Sequence, residues 1–361
     1  MAAGGAFAAT MSQCGWAEAR LSLNALAQAK GMRFGSAISA AGPSGGSFRN
    51  PSYAALIESE CGVLVAENEM KWQALRPSPT QFNFAPADAI LDYATRKGLA
   101  LRGHNLLWNR PQWQPTWFKD YDFGVKPATE AARLLSTHIN TVCARYAGRI
   151  KSYDVVNETV LPETGALAQT YLSKAMGSTE ALVDLAFHTA RAAAPDAQLV
   201  YNDYMSWETG NATHRDGVLR FLEGLRKRGT PVDALGVQSH LVAQDRPQER
   251  EWRAFIDAVT GMGYQLLITE FDVRDRGFPK DIVKRDADVA ALSKSYLDMM
   301  FSYSQVRDVL AWGLCDKFSW LQGFEPRADG APTRGCLYDD SYRAKPLRGA
   351  IAAAFQGAPK R

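Results

Sequence analysis

Eight short apolar runs alternate with segments of helical period along a chain of 361 residues. This alternation predicts an α/β fold, a (β/α)8 TIM barrel in a single domain. Two further observations support it. The runs are continuously apolar, as strands covered on both faces must be. No Gly-x-Gly-x-x-Gly follows the first run and no Walker Gly-Lys-Ser/Thr occurs, which argues against a doubly wound nucleotide-binding sheet.

The stretch Met1–Ala9 is small and apolar, and residues 1–12 hold no Lys or Arg, the first in the chain being Arg20. They read as a flexible tail or as the remnant of an export signal that lacks its basic start. The barrel domain is assigned to residues 13–361. Helical period runs from Trp16 to Lys30 and stops at Gly31. The first strand is Arg33–Ile38, followed by a Gly/Ser/Pro loop over 41–47 and a short helix from Tyr53. Strand Gly62–Ala66 leads to helix Pro86–Lys97, with Pro in its first turn and Gly98 as its stop. Strand Leu99–Gly103 leads to helix Thr129–Ala147. Strand Ser152–Val156 leads to helix Thr179–Ala194, which ends before Pro195. Strand Gln198–Tyr201 leads to helix His214–Arg228, strand Ala234–Val237 to helix Gln248–Val259, and strand Gln265–Thr269 to helix Asp281–Ser304. Strand Val309–Ala311 and helix Pro346–Phe355 close the series.

Composition excludes several classes. The chain is 46% hydrophobic and 22% charged, with 41 basic against 38 acidic residues. That is material for a sizeable core, with neither a basic stripe for nucleic acid nor an apolar stretch long enough to span a membrane. Five cysteines (Cys14, Cys61, Cys143, Cys315, Cys336) include no Cys-x-x-Cys pair, and the odd number leaves at least one unpaired within the chain. Cys143 falls in a helical pattern and is read as core. Cys315 and Cys336 flank one loop and are placed to bridge. The redox compartment stays open.

In a barrel, chemistry sits where strands end at their C-terminal side. Here those ends carry Glu67, Asn68, His104, Asn157, Glu158, Asn202, Asp203, Gln238, His240, Glu270, Asp272 and Asp316. His138, His188 and His214 fall on helices and read as surface or packing residues. Seven of the nine tryptophans (Trp72, Trp108, Trp113, Trp117, Trp207, Trp312, Trp320) also follow strands. Flat apolar faces beside amides and carboxylates suit a sugar ring, with its apolar CH faces and polar rim. Two runs end alike, Asp154-Val-Val-Asn157-Glu158 and Leu267-Ile-Thr-Glu270-Phe-Asp272. Two carboxyl groups at one rim, one protonated and one ionised, are what glycoside hydrolysis requires. Glu270 then reads as nucleophile, oriented by His240 and Asp272, and Asn157 as donor to a sugar hydroxyl. A metal site built from His104, His240, Glu67 and Glu270 is the rival reading, weakened because no His-x-His follows the first strand. A non-catalytic sugar-binding barrel is another, opposed by the presence of both glutamates.

Seven segments in order resemble glycoside hydrolase family 10, the retaining endo-β-1,4-xylanases. They are Glu67-Asn-Glu-Met-Lys71-Trp72, Arg102-Gly-His104-Asn-Leu-Leu-Trp108, Asp154-Val-Val-Asn157-Glu158, Asn202-Asp203-Tyr204, Gly236-Val-Gln238-Ser-His240, Ile268-Thr-Glu270-Phe-Asp272 and Trp312-Gly-Leu-Cys-Asp316-Lys-Phe-Ser-Trp320. The resemblance implies hydrolysis of internal bonds of xylan by double displacement, without a cofactor or a metal. It implies Glu158 as acid/base, Glu270 as nucleophile held ionised by His240 and Asp272, and Asn157 on the 2-hydroxyl of the sugar at the cleaved bond. Glu67, Asn68 and Lys71 would bind sugars on the non-reducing side, walled by His104, Trp108, Trp312 and Trp320. Tyr204 and Gln238 would wall the leaving-group side. A monomer acting on a polysaccharide, secreted or periplasmic, is expected.

The resemblance departs after the third strand. There the family has Trp-His-Ser-Gln and then Pro-x-Trp, whereas this chain has Trp108-Asn109-Arg110-Pro111-Gln112-Trp113-Gln114-Pro115-Thr116-Trp117. This keeps open a second substrate reading, another β-linked glycan such as a bacterial exopolysaccharide or a glucan. Cys315 stands where Thr is common. Arg327 and Arg334 in the loop Leu321–Gly335 are candidates to meet an acidic decoration or to be solvated.

Overall fold

The computed structural model describes residues 21–40 and 46–361. The expected tail 1–12, Cys14, the start of the first helix before Leu21 and residues 41–45 of the first loop lie outside the described residues.

The described residues form β1 (Arg33–Ile38), β2 (Val63–Ala66), β3 (Ala100–Trp108), β4 (Ile150–Asn157), β5 (Gln198–Asp203), β6 (Ala234–Val237), β7 (His240–Val242), β8 (Gln265–Arg274) and β9 (Val306–Ala311). All pair in parallel. Eight close a barrel in the order β1-β2-β3-β4-β5-β6-β8-β9, with β9 returning to β1. Because both faces are covered, alternate residues sort into two sets. Leu64, Leu199, Tyr201, Leu235 and Leu266 join the large core under the helices. Val63 and Val65 pack instead with Ala37 and Leu310, and Val200 with Ala234 and Leu267, in two smaller clusters.

Each stave is followed by one long helix: Pro51–Glu60, Ala85–Arg96, Pro127–Arg145, Thr179–Ala193, Ala212–Arg228, Glu249–Gly261, Ile282–Phe301 and Pro346–Gly357. Their ends follow local chemistry. Asn50 accepts the Tyr53 N–H at 3.1 Å ahead of Pro51, and Asp281 accepts the Lys284 N–H at 2.8 Å. Gly229 (φ 71°) caps the helix Ala212–Arg228 in the left-handed region. Among the described residues no helix is long and apolar enough to cross a membrane.

Several strands run further than their sequence indicates, β3 and β8 the most. The third continues from Gly103 to Trp108 and the seventh stave from Thr269 to Arg274, so His104, Glu270 and Asp272 lie within strands rather than after them. Partners explain both extensions. His104 sits opposite Asp154 on β4, and the added strand β7 places His240 opposite Asp272 on β8. A short helix, Tyr171–Met176, closed by a Thr170/Ser173 capping box, was not anticipated. Cys61, Cys143, Cys315 and Cys336 are free and buried. Cys315 and Cys336 are not bridged, and the Cys315 thiol donates to the Asp339 carbonyl at 3.0 Å.

β1 and β2 approach so closely at Gly35 that an added Cβ would lie 1.8 Å from the Val63 carbonyl oxygen. Backbone cannot yield as a side chain can. We expect Gly35→Ala to destabilise the fold by about 3 kcal/mol, near the upper end of the usual overpacking cost, as read from urea denaturation midpoints.

Candidate active site

The C-terminal ends of the staves open into one cleft of about 930 Å³. Thirteen of the fourteen side chains singled out from the sequence line it: Glu67, Asn68, Lys71, His104, Trp108, Asn157, Glu158, Tyr204, Gln238, His240, Glu270, Trp312 and Trp320. The fourteenth, Asp272, is buried directly behind His240.

Glu270 is buried on β8. His240 Nε2 lies 3.4 Å from its Oε2, and the Asn202 amide donates to its Oε1 at 2.8 Å. The His240 ring is fixed from behind, Nδ1 lying 2.7 Å from Asp272, and Asp272 also accepts the Trp320 indole N–H at 2.6 Å. Asn202 is oriented in turn by the Thr269 hydroxyl, which donates to its oxygen at 2.7 Å. Gly236 leaves it room, since a Cβ there would lie 2.3 Å from that oxygen. Burial alone would raise the Glu270 carboxyl. The His240 hydrogen bond, the field of His104 and His240 and the Asn202 amide outweigh it and hold the carboxyl below its ordinary range. Burial pulls His240 down, but Asp272 and Glu270 prevail and push it up to about 9.

Glu158 sits just past β4 with φ 56°, a left-handed backbone rare for a residue with a side chain. Two bonds fix it there: its N–H donates to the Asn202 carbonyl at 2.9 Å, and the next N–H, of Thr159, to the Tyr201 hydroxyl at 3.2 Å. The Gln238 amide donates to Glu158 Oε1 at 3.0 Å. Burial raises this carboxyl. Hydrogen bonds from Gln238 and Trp108 oppose the rise, Asp203 and Glu270 add to it, and the net shift is upward. Two glutamates in one cleft are therefore pushed in opposite directions. Asn157 lies between them, its amide 2.8 Å from that of Asn202 and 3.3 Å from Glu158.

Beside this pair, Lys71 donates to Asn68 Oδ1 at 2.9 Å and lies 4.8 Å from the Trp108 ring centre. Burial lowers its ammonium, and Glu270, Glu67 and Glu158 partly restore it. Burial likewise raises Glu67, against the charge of Lys71. His104 Nδ1 lies 2.9 Å from Asp154, itself paired with Arg102 at 2.6 Å, and the His104 ring meets Trp312 edge-on. One carboxyl poised to give a proton, one poised to stay ionised, and indoles around both are equipment for cleaving a sugar–oxygen bond.

The family description "Glycosyl hydrolase family 10" matches residues 22–354. The chain belongs to glycosyl hydrolase family 10. It is 31% identical over 299 residues to endo-1,4-beta-xylanase 1 of Gibberella zeae, covering 80% of this chain and 79% of that one. Among solved structures it is similar to native xylanase 10B from Thermotoga maritima, with a TM-score of 0.83 and 28% identity over 93% of this chain and 98% of that one. It is similar also to a mutant xylanase 10C from Cellvibrio japonicus in complex with xylopentaose, with a TM-score of 0.83 and 27% identity over 94% of this chain and 70% of that one.

Several expectations are corrected within this family frame, while His138 and His214 are packing residues as expected. Of the seven tryptophans after strands, Trp108, Trp113, Trp312 and Trp320 line the cleft. Trp72 and Trp207 are core residues, and Trp117 packs on Phe118. Trp72 stacks on His138, whose imidazole burial pushes well below its usual range. His214 is buried 3.2 Å from Asp203. Arg327 and Arg334 neither face the cleft nor lie solvated. Arg327 holds the carbonyls of Asp275 and Phe278, and Arg334 pairs with Asp286 at 2.6 Å. Asn109, where the family has His, is buried against Ala168 and Thr170 and does not line the cleft. The same altered stretch supplies a residue the sequence reading missed, Arg110, with its guanidinium 2.8 Å from the Tyr204 hydroxyl, beside Trp113, which stacks on Trp108 at 4.8 Å. Asn202 was seen as a strand end but not as the amide that bonds Glu270.

Removing His240 takes away both a hydrogen bond and a charge from Glu270. We expect Glu270 to titrate at higher pH in His240→Ala, as read from its side-chain carboxyl 13C shift.

Proposed function

We propose that this chain is a retaining endo-β-1,4-xylanase in which Glu158 is the acid/base and Glu270 the nucleophile. The observation that carries the assignment of roles is the opposite bias on the two buried carboxyls. Glu270, held ionised by His240 and Asn202, attacks the anomeric carbon. Glu158, held protonated, gives its proton to the departing oxygen. In the second step Glu158 takes a proton from water, and that water releases the sugar from Glu270. The Asn157 amide, between the two acids, is placed to donate to the hydroxyl next to the reacting carbon. Lys71, Glu67 and Asn68 hold sugars on one side of the cleaved bond beside Trp108, Trp312 and Trp320, and Tyr204 and Gln238 bound the other. The xylopentaose complex of a related xylanase supports xylan over other β-linked glycans as the polymer. We propose that the enzyme works outside the cytoplasm, as a polymer that does not cross membranes requires, and as a monomer.

Glu158→Ala and Glu270→Ala should each lower kcat on xylan by about 10²–10⁴-fold or more, measured by reducing-sugar release. Proton NMR of the first products should show the β-anomer. An initial α-anomer, or undiminished turnover in either variant, would remove the assignment.

The pH dependence of kcat/KM follows from the two shifts. The ionised form of Glu270 is required and its carboxyl is depressed, so activity is lost only as pH falls through that lowered value. The protonated form of Glu158 is required and its carboxyl is raised, so activity is lost as pH rises through that raised value. We expect a bell with its acid limb below and its alkaline limb above the usual glutamate range, recorded on a short soluble xylo-oligosaccharide.

A further inference from the structure

The cation nearest to the Glu158 carboxylate comes from the stretch that departs from the family pattern. Arg110 Nε lies 3.9 Å from Glu158 Oε2, and among the described residues no other Lys, Arg or His nitrogen comes within 4.0 Å of that carboxylate. Arg110 is buried, at 5% exposure. One of its terminal nitrogens donates to the Val160 carbonyl at 2.7 Å and to the Tyr204 hydroxyl at 2.8 Å, and the guanidinium lies 5.5 Å from the Tyr204 ring centre. Val160 is two residues beyond Glu158, so the charge is anchored to the same turn that presents the acid. At 3.9 Å the pair is too long for a hydrogen bond. Gln238 holds Oε1 at 3.0 Å, while Oε2 faces the guanidinium without a hydrogen bond to it.

We propose that Arg110 is a positioning residue that biases Glu158 toward its base form and holds Tyr204 against the leaving-group side of the cleft. The inference rests on the acid/base assignment of Glu158. Burial, Asp203 and Glu270 favour the protonated carboxyl, and the hydrogen bonds from Gln238 and Trp108 offset them only in part. A group locked protonated would serve as acid in the first step and fail as base in the second. A fixed cation close by counteracts that bias, as a neighbouring opposite charge does for any carboxylate. The other titratable groups facing Glu158 are Lys71 after β2, Asp203 and Tyr204 at β5, Glu270 on β8 backed by His240, and Glu163 beyond β4. Of these Lys71 also favours the base form, but it is bonded to Asn68 and shared with Glu67 and Glu270.

The test is the alkaline limb of kcat/KM in Arg110→Met, Arg110→Gln and Arg110→Lys, with folding checked by circular dichroism. Loss of the charge in the two neutral variants should move the limb up by about 1 pH unit. The lysine variant should return it toward the native position. Lysine lacks the fork that spans Val160 and Tyr204, so its KM should rise while the limb is restored. A native enzyme that hydrolyses xylan, with the limb unmoved in whichever neutral variant folds, overturns the role of Arg110 and leaves the glycosidase reading intact. A limb that moves equally in the lysine variant overturns it too, because charge would not be the cause. A native enzyme inactive on every β-1,4-glycan removes the glycosidase reading and this inference with it.

Discussion

Two carboxyl groups buried in one cleft repel each other and are both driven toward the neutral state, and the site works only if one of them resists. Burial by itself treats Glu158 and Glu270 alike. The difference is made by what surrounds each. Glu270 has a histidine kept charged by Asp272 and an amide locked by Thr269. Glu158 is met by the neutral donors Gln238 and Trp108 and by the negative field of Asp203 and Glu270. Much of the rim can be understood as a device for keeping these two environments apart within one cleft.

The barrel supplies that separation. Register sets Asp272 against His240 and Asp154 against His104, so each histidine is oriented by a carboxylate on the neighbouring strand. Hydrogen bonds between staves tie the second layer together. Asn202 on β5 touches Asn157 on β4 and Glu270 on β8, and its own carbonyl holds the strained backbone of Glu158. The left-handed turn at Glu158 costs about 1–3 kcal/mol in a typical protein, and it persists because neighbouring strands fix both sides of it.

The staves and their helices were legible because continuous apolar runs and helical periods are local signals. Eleven of the thirteen cleft residues were legible because a parallel barrel sends the ends of its strands to one rim, whatever the sequence between them; Lys71 and Tyr204 were named from the family resemblance alone. What could not be read depends on pairing across the chain. Whether a tryptophan after a strand points into the cleft or under a helix is not encoded in its position. Trp312 and Trp72 follow strands in the same way, yet only Trp312 lines the cleft. The lengths of β3 and β8 were underestimated because polar residues such as His104 and Asp272 look like strand ends until a buried partner is found opposite. Arg327 and Arg334 looked free for the same reason, since Asp275, Phe278 and Asp286 lie far from them in sequence. The altered stretch after Trp108 was recognisable as a departure, but that it delivers a guanidinium to Glu158 required the fold.

Lys71 carries a consequence for how inactive forms of such an enzyme are interpreted. Its ammonium is buried, which disfavours the charge, and Glu270, then Glu67 and Glu158, oppose that effect. Truncating Glu270 to capture an uncleaved sugar chain withdraws the largest of those supports. The lysine then has one anion fewer to offset the cost of burying its charge. A complex caught that way would show a cleft rebalanced around a missing anion, with Lys71 balanced by Glu67 and Glu158 alone.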